Sequence, residues 1–270
     1  PDSGAVLTRY DDYWGEPASL ERLELRKVPD ATARVNALIS GEADLAFDVP
    51  PSTADTVTGA SGYQILESEV TDSSAFYFAL NTRIAPFDDP EVRRALKLAV
   101  DREQMVEVVF GGYGQVGNDL FGKDLPSYLD AEQREQDLDE AERILQDAGV
   151  TELSLVVAEG SPGLTGSADL LTQQLADIGV TVNVTEIDSG TWFSDLESLY
   201  DSQIITWYAA NQPPLAGLDT WLGAENPFNY TGWAPEQYTQ LVAEARANTD
   251  ESERDSAVEQ MQQLQWDDGG

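Results

Sequence analysis

VPDATARVNALISGEADLAFDVPP (residues 28–51) and FALNTRIAPFDDPEVRRALKLAVDREQMVEVVFGGYG (residues 78–114) are the stretches whose punctuation decides the fold. Ahead of the first, Leu20, Leu23, Leu25 and Val28 alternate as a strand does. Pro29 and Asp30 then open a helix carrying Ala33, Val35, Leu38 and Ile39. Gly41 stands at the C′ position, where a left-handed residue closes a helix. Ala43–Val49 reads as a short strand stopped by Pro50-Pro51, so residues 20–49 are expected as strand, helix, strand. Around the second stretch, Ser74–Leu80 is an aromatic run expected as a buried strand. Asp88, Asp89 and Pro90 start a helix, with Pro near N1, and its apolar stripe is Val92, Ala95, Leu96 and Val100. Asp101 restarts it with Gln104 as a capping box, and Gly111-Gly112 ends it. Arg93 and Arg94 follow Asp88, Asp89 and Glu91 and read as exposed ion-pairing residues.

Working outward, Tyr113–Tyr128 is loop-like, and an uncommitted loop of this length is often functional. Asp137 with Glu140 is a second capping box, for a helix bearing Leu138, Ala141, Ile144 and Leu145 and closed by Gly149. Then elements alternate regularly. A strand at Leu153–Val157 leads to a helix through Leu170, Leu171, Leu175 and Ile178, closed by Gly179. A strand at Val180–Ile187, a short helix with Trp192, Phe193, Leu196 and Tyr200, and a strand at Gln203–Tyr208 follow. This order predicts parallel strands. Ala209–Gly217 reads as a loop with Pro213-Pro214. It lies beyond a strand's carboxyl end, where open α/β sheets bind their ligands. Pro235–Ala247 and Glu251–Trp266 are expected as two closing helices.

Composition removes most catalytic chemistry. The 270 residues hold no Cys and no His. That excludes disulfides, thiolate or imidazole metal sites, a Cys nucleophile and the Ser-His-Asp triad. Only oxygen-ligand sites for hard cations remain, and no calcium-loop motif appears, so neither metal nor cofactor is expected. Fifty acids against fifteen bases give a net charge of −35, and Lys27, Lys97 and Lys123 are the only lysines. Such a surface repels nucleic acid and anionic lipid. The acids are spread along the chain, which fits a solvated surface relieved by salt. No run of about eighteen apolar residues is present, so no membrane-spanning helix is expected. The hydrophobic share of 41% suffices for a core. The chain begins at Pro1 without Met, as a processed product or an excised fragment would.

Several segments, in order, resemble extracytoplasmic solute-binding protein family 5, the substrate-binding proteins of peptide/nickel-type ABC importers. Tyr10-Asp11-Asp12-Tyr13-Trp14-Gly15 is similar to the family's "N-x-x-Y-W". Pro29-Asp30-Ala31-Thr32-Ala33 through Gly41-Glu42-Ala43-Asp44 looks like its "P-D…G-E-x-D". Asn81-Thr82 through Pro86-Phe87-Asp88-Asp89-Pro90-Glu91-Val92-Arg93-Arg94-Ala95 resembles "N-T-x-x-x-P-F-x-D-x-x-V-R-x-A", and Asp101-Arg102 its "D-R". Gln174–Val182 resembles "Q-L-x-x-I-G-I-x-V", and Asn229-Tyr230-Thr231-Gly232-Trp233 resembles "N-Y-x-x-Y/W". The resemblance covers nearly all of the chain. It implies an α/β, type II periplasmic-binding-protein-like fold: a mixed sheet with flanking helices, as a partial first lobe plus most of a second. On this reading the chain lacks the family's N-terminal portion. Residues 1–85 belong to the first lobe and hinge, and residues 86–270 to the second. The resemblance further implies a non-catalytic, extracytoplasmic monomer. It would hold a small solute, most often an oligopeptide, for ABC permease subunits, and would touch the membrane only through an upstream lipid anchor. An oligosaccharide-binding protein, a ligand sensor and a carboxylate-dependent glycoside hydrolase are the rival expectations.

In peptide-binding relatives an Asp after the strand at Gln203–Tyr208 pairs with the ligand's amino group. The matching position here looks like Asn211, which suits a neutral partner better and also suits a turn. Trp207 and Tyr208 end that strand. Alternation sends one inward and one outward, and either could line an aromatic pocket or the core. Tyr113, Asn118 and Phe121 lie in the long loop that in the family runs beside the cleft. These six are the candidate ligand-binding residues, with no catalytic and no metal-binding residue among them.

Overall fold

The computed structural model describes residues 4–28, 30–47, 49–69, 73–159 and 162–270. The chain divides into two compact units, Pro1–Ile65 and Leu66–Gly270.

In the smaller unit, β1 (Gly4–Thr8) and β2 (Arg22–Arg26) pair antiparallel, with Leu7 opposite Leu23. α1 (Ala31–Ile39) starts as expected, the Asp30 carboxylate accepting the Ala33 N–H at 2.6 Å. It ends at Gly41, whose φ is 78°. α2 (Pro51–Thr58) follows, with Pro in the N1 place it tolerates. Val35, Leu38 and Val57 form a small core, and the Tyr63 hydroxyl donates to Ile39 O at 3.1 Å. The strand expected at Ala43–Val49 is absent among its described residues; Asp48 lies outside them. The N–H groups of Glu42 and Ala43 turn back onto Ala37 O, which holds the chain at the helix end. A strand also needs a hydrogen-bonded neighbour, and β1 and β2 pair with each other.

The larger unit is built on a four-stranded sheet of order β3 (Ser74–Leu80), β6 (Ile204–Ala210), β4 (Glu152–Ala158), β5 (Thr181–Ile187). β4 pairs parallel with β5 and β6, as the alternating pattern predicts, while β3 runs antiparallel to β6 along its whole length. The span 1–85 therefore straddles the two compact units. β3 is exposed at its start and buried only at Ala79 and Leu80, so the expectation of a buried strand holds for its end alone.

α3 (Pro90–Ala99) has Asp89 as N-cap, followed by a short turn at Arg102–Gln104 (α4) and a π-helical turn at Met105–Val109. α5 (Leu138–Asp147) and α6 (Pro162–Asp177) come next. α7 (Ser189–Ser194) and α8 (Leu196–Leu199) link β5 to β6. α9 (Pro214–Leu222), α10 (Glu236–Ala247) and α11 (Glu251–Asp268) close the chain. The loop expected at Ala209–Gly217 is shorter than read: the strand continues to Ala210, and Pro214 already opens α9.

Leu155, Val157, Leu171, Leu175, Ile204 and Ile205 centre the sheet–helix core, and a second cluster joins α9, α10 and α11 through Leu218, Tyr238 and Met261. Both capping boxes are half made. Asp101 and Asp137 cap as read, accepting from Gln104 N–H and Glu140 N–H. The reciprocal side chains are taken elsewhere: Gln104 accepts from Gln174 Nε2, and Glu140 pairs with Arg94 and Arg143. Arg93 is also not an exposed ion-pairing residue. It is 5% exposed, donates to Phe87 O at 2.8 Å and pairs with Asp268.

Candidate ligand-binding site

β4, β5 and β6 deliver their carboxyl ends to one rim of the sheet, at Ala158, Ile187 and Ala210, and antiparallel β3 begins there. The register places Phe76 opposite Tyr208 and Tyr77 opposite Trp207. Successive side chains take opposite faces of the sheet. Phe76 and Tyr208 thus share one face and Tyr77 and Trp207 the other.

Trp207 is 7% exposed. Its indole stacks on Trp192 (centroids 5.2 Å, planes 13° apart) and meets Phe193 and Tyr230 edge-on. Tyr208 is 42% exposed and lies 5.2 Å from Trp207 and 5.9 Å from Phe76, which in turn touches Phe110 at 4.8 Å. One inward and one outward aromatic is the pattern that alternation demands. Tyr77 Oη, Trp207 Nε1 and Trp221 Nε1 are buried and meet no hydrogen-bond partner among the described residues. Burial pushes the Tyr77 hydroxyl well above its ordinary pKa and that of Tyr230 up to about 12.

The backbone of β6 matters as much as its side chains. Asn81 N–H donates to Gln203 O and Asn211 N–H to Ser73 O, so odd-numbered residues of β6 face β3. The alternation of an antiparallel ladder then turns the N–H and C=O of Tyr208 and Ala210 to the opposite side. On that side β4 pairs with β6 only through Leu155–Ile204 and Val156–Ile205. Beyond Val156–Ile205 no further pairing of β6 with β4 is present among the described residues.

Asn211 donates its side-chain amide to Lys123 O at 2.9 Å and so ties the end of β6 to the long loop. Phe121, in that loop, packs against the α9–α10–α11 cluster and meets the Tyr77 ring edge-on at 5.6 Å. Gly217 permits this: a Cβ there would stand 2.9 Å from Phe121 Cβ. Tyr113 is 36% exposed and donates its N–H to Phe110 O. Asn118 faces inward. Its amide donates to Ala131 O and Glu132 O, and its Oδ1 accepts from Arg134 N–H and Trp266 Nε1. Trp207, Tyr208, Asn211 and Phe121 thus gather round the end of β6. Tyr113 is linked to them through Phe110 and Phe76, and Asn118 holds the loop to α11.

The loop is further fixed by Asp119, which bridges Arg102 at 2.7 Å and Arg134 at 2.9 Å. Burial pushes this carboxyl up, but Arg102, Lys97 and Arg134 outweigh it and hold the group below its ordinary pKa. Arg134 lies over the Trp266 ring, and Arg93, Lys97 and Arg134 all donate to carbonyls in the last turn of α11. Three of the chain's few cations therefore sit where the helix macrodipole favours them. Sequence reading missed Phe76, Phe110 and Tyr77. The aromatic run Phe76-Tyr77-Phe78 signalled them, but their partner Tyr208 is set by register across 132 positions of sequence.

The family profile for bacterial extracellular solute-binding proteins, family 5 (middle region), matches residues 1–229. Di/tripeptide-binding protein 2 of Pseudomonas aeruginosa is 28% identical over 94% of this chain and 49% of its own length. Heme-binding protein A of Haemophilus influenzae is 28% identical over 97% and 49%. The Helicobacter pylori periplasmic binding protein DppA, solved with the peptide STSA, superposes with a TM-score of 0.85 at 19% identity, covering 99% of this chain and 54% of that one. Staphylococcus aureus NikA, solved with Ni(L-His)2, gives 0.86 at 17%, covering 98% and 58%. The chain spans about half the length of the relatives it matches. It belongs to the family 5 bacterial extracellular solute-binding proteins, and its fold is the mixed α/β fold of type II periplasmic binding proteins. Among the described residues no helix is long and apolar enough to cross a membrane.

Proposed function

We propose that this member of the family forms part of an extracytoplasmic protein that holds an oligopeptide in extended form for ABC permease subunits and performs no chemistry on it. One observation carries the reading: the backbone groups of Tyr208 and Ala210 turn away from β3 at the carboxyl end of the sheet, past the last β4–β6 pair among the described residues and beside exposed aromatic rings. An open strand edge recognises any extended peptide by main-chain hydrogen bonds, and the flanking side chains supply selectivity. In this reading Trp207, Tyr208 and Phe121 form the aromatic wall. Asn211 and Asn118 position the wall's loop, and Tyr113 sits at its margin. The smaller unit belongs to a first lobe and the larger contains the second. The protein acts outside the cytoplasm as a monomer, tethered by an upstream lipid anchor.

The test is a thermal-shift screen against di- to pentapeptides, oligosaccharides and metal chelates. Stabilisation by peptides alone is expected, by about 2.7 kcal/mol at a hundredfold excess over the dissociation constant. A sugar or chelate hit without a peptide hit would overturn the peptide assignment. No shift with any class would overturn solute binding by this rim.

A further inference from the structure

Tyr208 lies past the last β4–β6 pair among the described residues and shows an exposed ring that belongs to a ladder of aromatic contacts. Phe110, Phe76 and Tyr208 follow one another at centroid spacings of 4.8 and 5.9 Å, and at the strand end the Tyr208 ring also meets that of Trp207, from the other face, at 5.2 Å. The middle pair is open, Phe76 at 38% and Tyr208 at 42% exposure. The ladder is also held still. Gly163 in α6 brings its backbone so close that a Cβ there would stand 2.9 Å from both the Phe76 and Phe110 rings. At the far end Trp207 is clamped by Trp192. Rings fixed before a ligand arrives lose little freedom when it binds.

We infer that this ladder makes the site selective, and that the ligand residue paired opposite Tyr208 carries an aromatic side chain. The inference rests on the extended-peptide reading above. In a paired strand the side chains of directly opposed residues stand on the same face, close enough to touch. A ligand residue opposite Tyr208 therefore projects beside the Tyr208 ring, on the face that Tyr208 shares with Phe76. No charged side chain stands in the ladder, so its preference is for a ring, which buries area and stacks. The neighbouring ligand residues project to the other face or fall beyond the pair, and the ladder does not select them.

The experiment is calorimetric titration of the 270-residue chain with Ala-Ala-Ala, Phe-Ala-Ala, Ala-Phe-Ala and Ala-Ala-Phe, repeated on the Phe76→Ala/Tyr208→Ala double variant. One phenylalanine position is expected to bind about tenfold tighter than Ala-Ala-Ala, and in the double variant the ratio between that peptide and Ala-Ala-Ala is expected to fall to about one. Equal affinity for all four peptides would overturn the selectivity and leave peptide binding standing. A preference that survives in the double variant would overturn the assignment to these rings. Binding of none of the four would overturn the extended-peptide reading, and the selectivity with it.

Discussion

The indole of Trp192 lies flat against that of Trp207, centroids 5.2 Å apart and planes 13° apart, and its Nε1 donates to the Tyr230 hydroxyl at 3.2 Å. A helix following β5 thereby braces a strand that comes after it, beneath the rim that carries Tyr208. Trp192 is fully buried. Trp192→Ala should cost about 3–5 kcal/mol, read from urea denaturation, with Trp192→Phe recovering part of the loss. A loss under about 1 kcal/mol would show that the stack contributes no core packing.

Asn211→Asp should weaken the tie between β6 and the long loop. The amide that donates to Lys123 O becomes a carboxylate facing a carbonyl. The expected loss is about 1–3 kcal/mol, measured by denaturant midpoint. Peptide affinity should fall with Asn211→Ala to the same degree as with Asn211→Asp. Tighter binding of free-amine peptides by the Asp variant alone would instead place this residue against the ligand.

Asp119→Asn removes the anion shared by Arg102 and Arg134, whose side chains are 13% and 10% exposed. Leaving such charges unpaired should cost about 3–5 kcal/mol. Because the folded carboxyl titrates below its ordinary value, its contribution is complete above the unfolded pKa of 3.8 and declines as pH falls below it. The variant should therefore lose the acid-dependent part of the unfolding curve in that range. An unchanged acid limb would refute the assignment.

Lys97 gives the opposite pH signature. Burial lowers its pKa from 10.5 to about 8, so between those values the unfolded chain binds more protons and stability rises with pH. Lys97→Met should be more stable than the parent at pH 7 by up to about 3 kcal/mol. That limit is reduced by the lost hydrogen bonds to Gln265 O and Trp266 O. The advantage should shrink as pH passes 8 and vanish near 10.5. An advantage independent of pH would show that Lys97 titrates normally.

A net charge of −35 predicts strong salt dependence. Raising NaCl from about 0.05 to 1 M shortens the screening length to about 3 Å and should raise the thermal midpoint. A midpoint that falls with salt would mean that ion pairs such as Arg102–Asp119 outweigh the general repulsion.

Helix starts and stops were legible because their chemistry is local. Asp30, Asp89, Asp101 and Asp137 each cap the helix they precede, and Gly41, Gly149 and Gly179 stand at ends with positive φ. The absence of His and Cys bounded the chemistry, and the alternation from Leu153 to Tyr208 gave the parallel strands. The sequence did not determine which residues meet across long separations. Gln104 and Glu140 were read as capping their own helices, yet Gln174, Arg94 and Arg143 claim them. Arg93 read as exposed, and α11 buries it. Asn118 read as a loop residue open to ligand, and the same helix occupies it. Above all, the pairing of Phe76 with Tyr208, and the point at which the described β4–β6 pairing stops, depend on strand register. Register is chosen by the packing of the whole sheet and carries no mark in either strand's own residues.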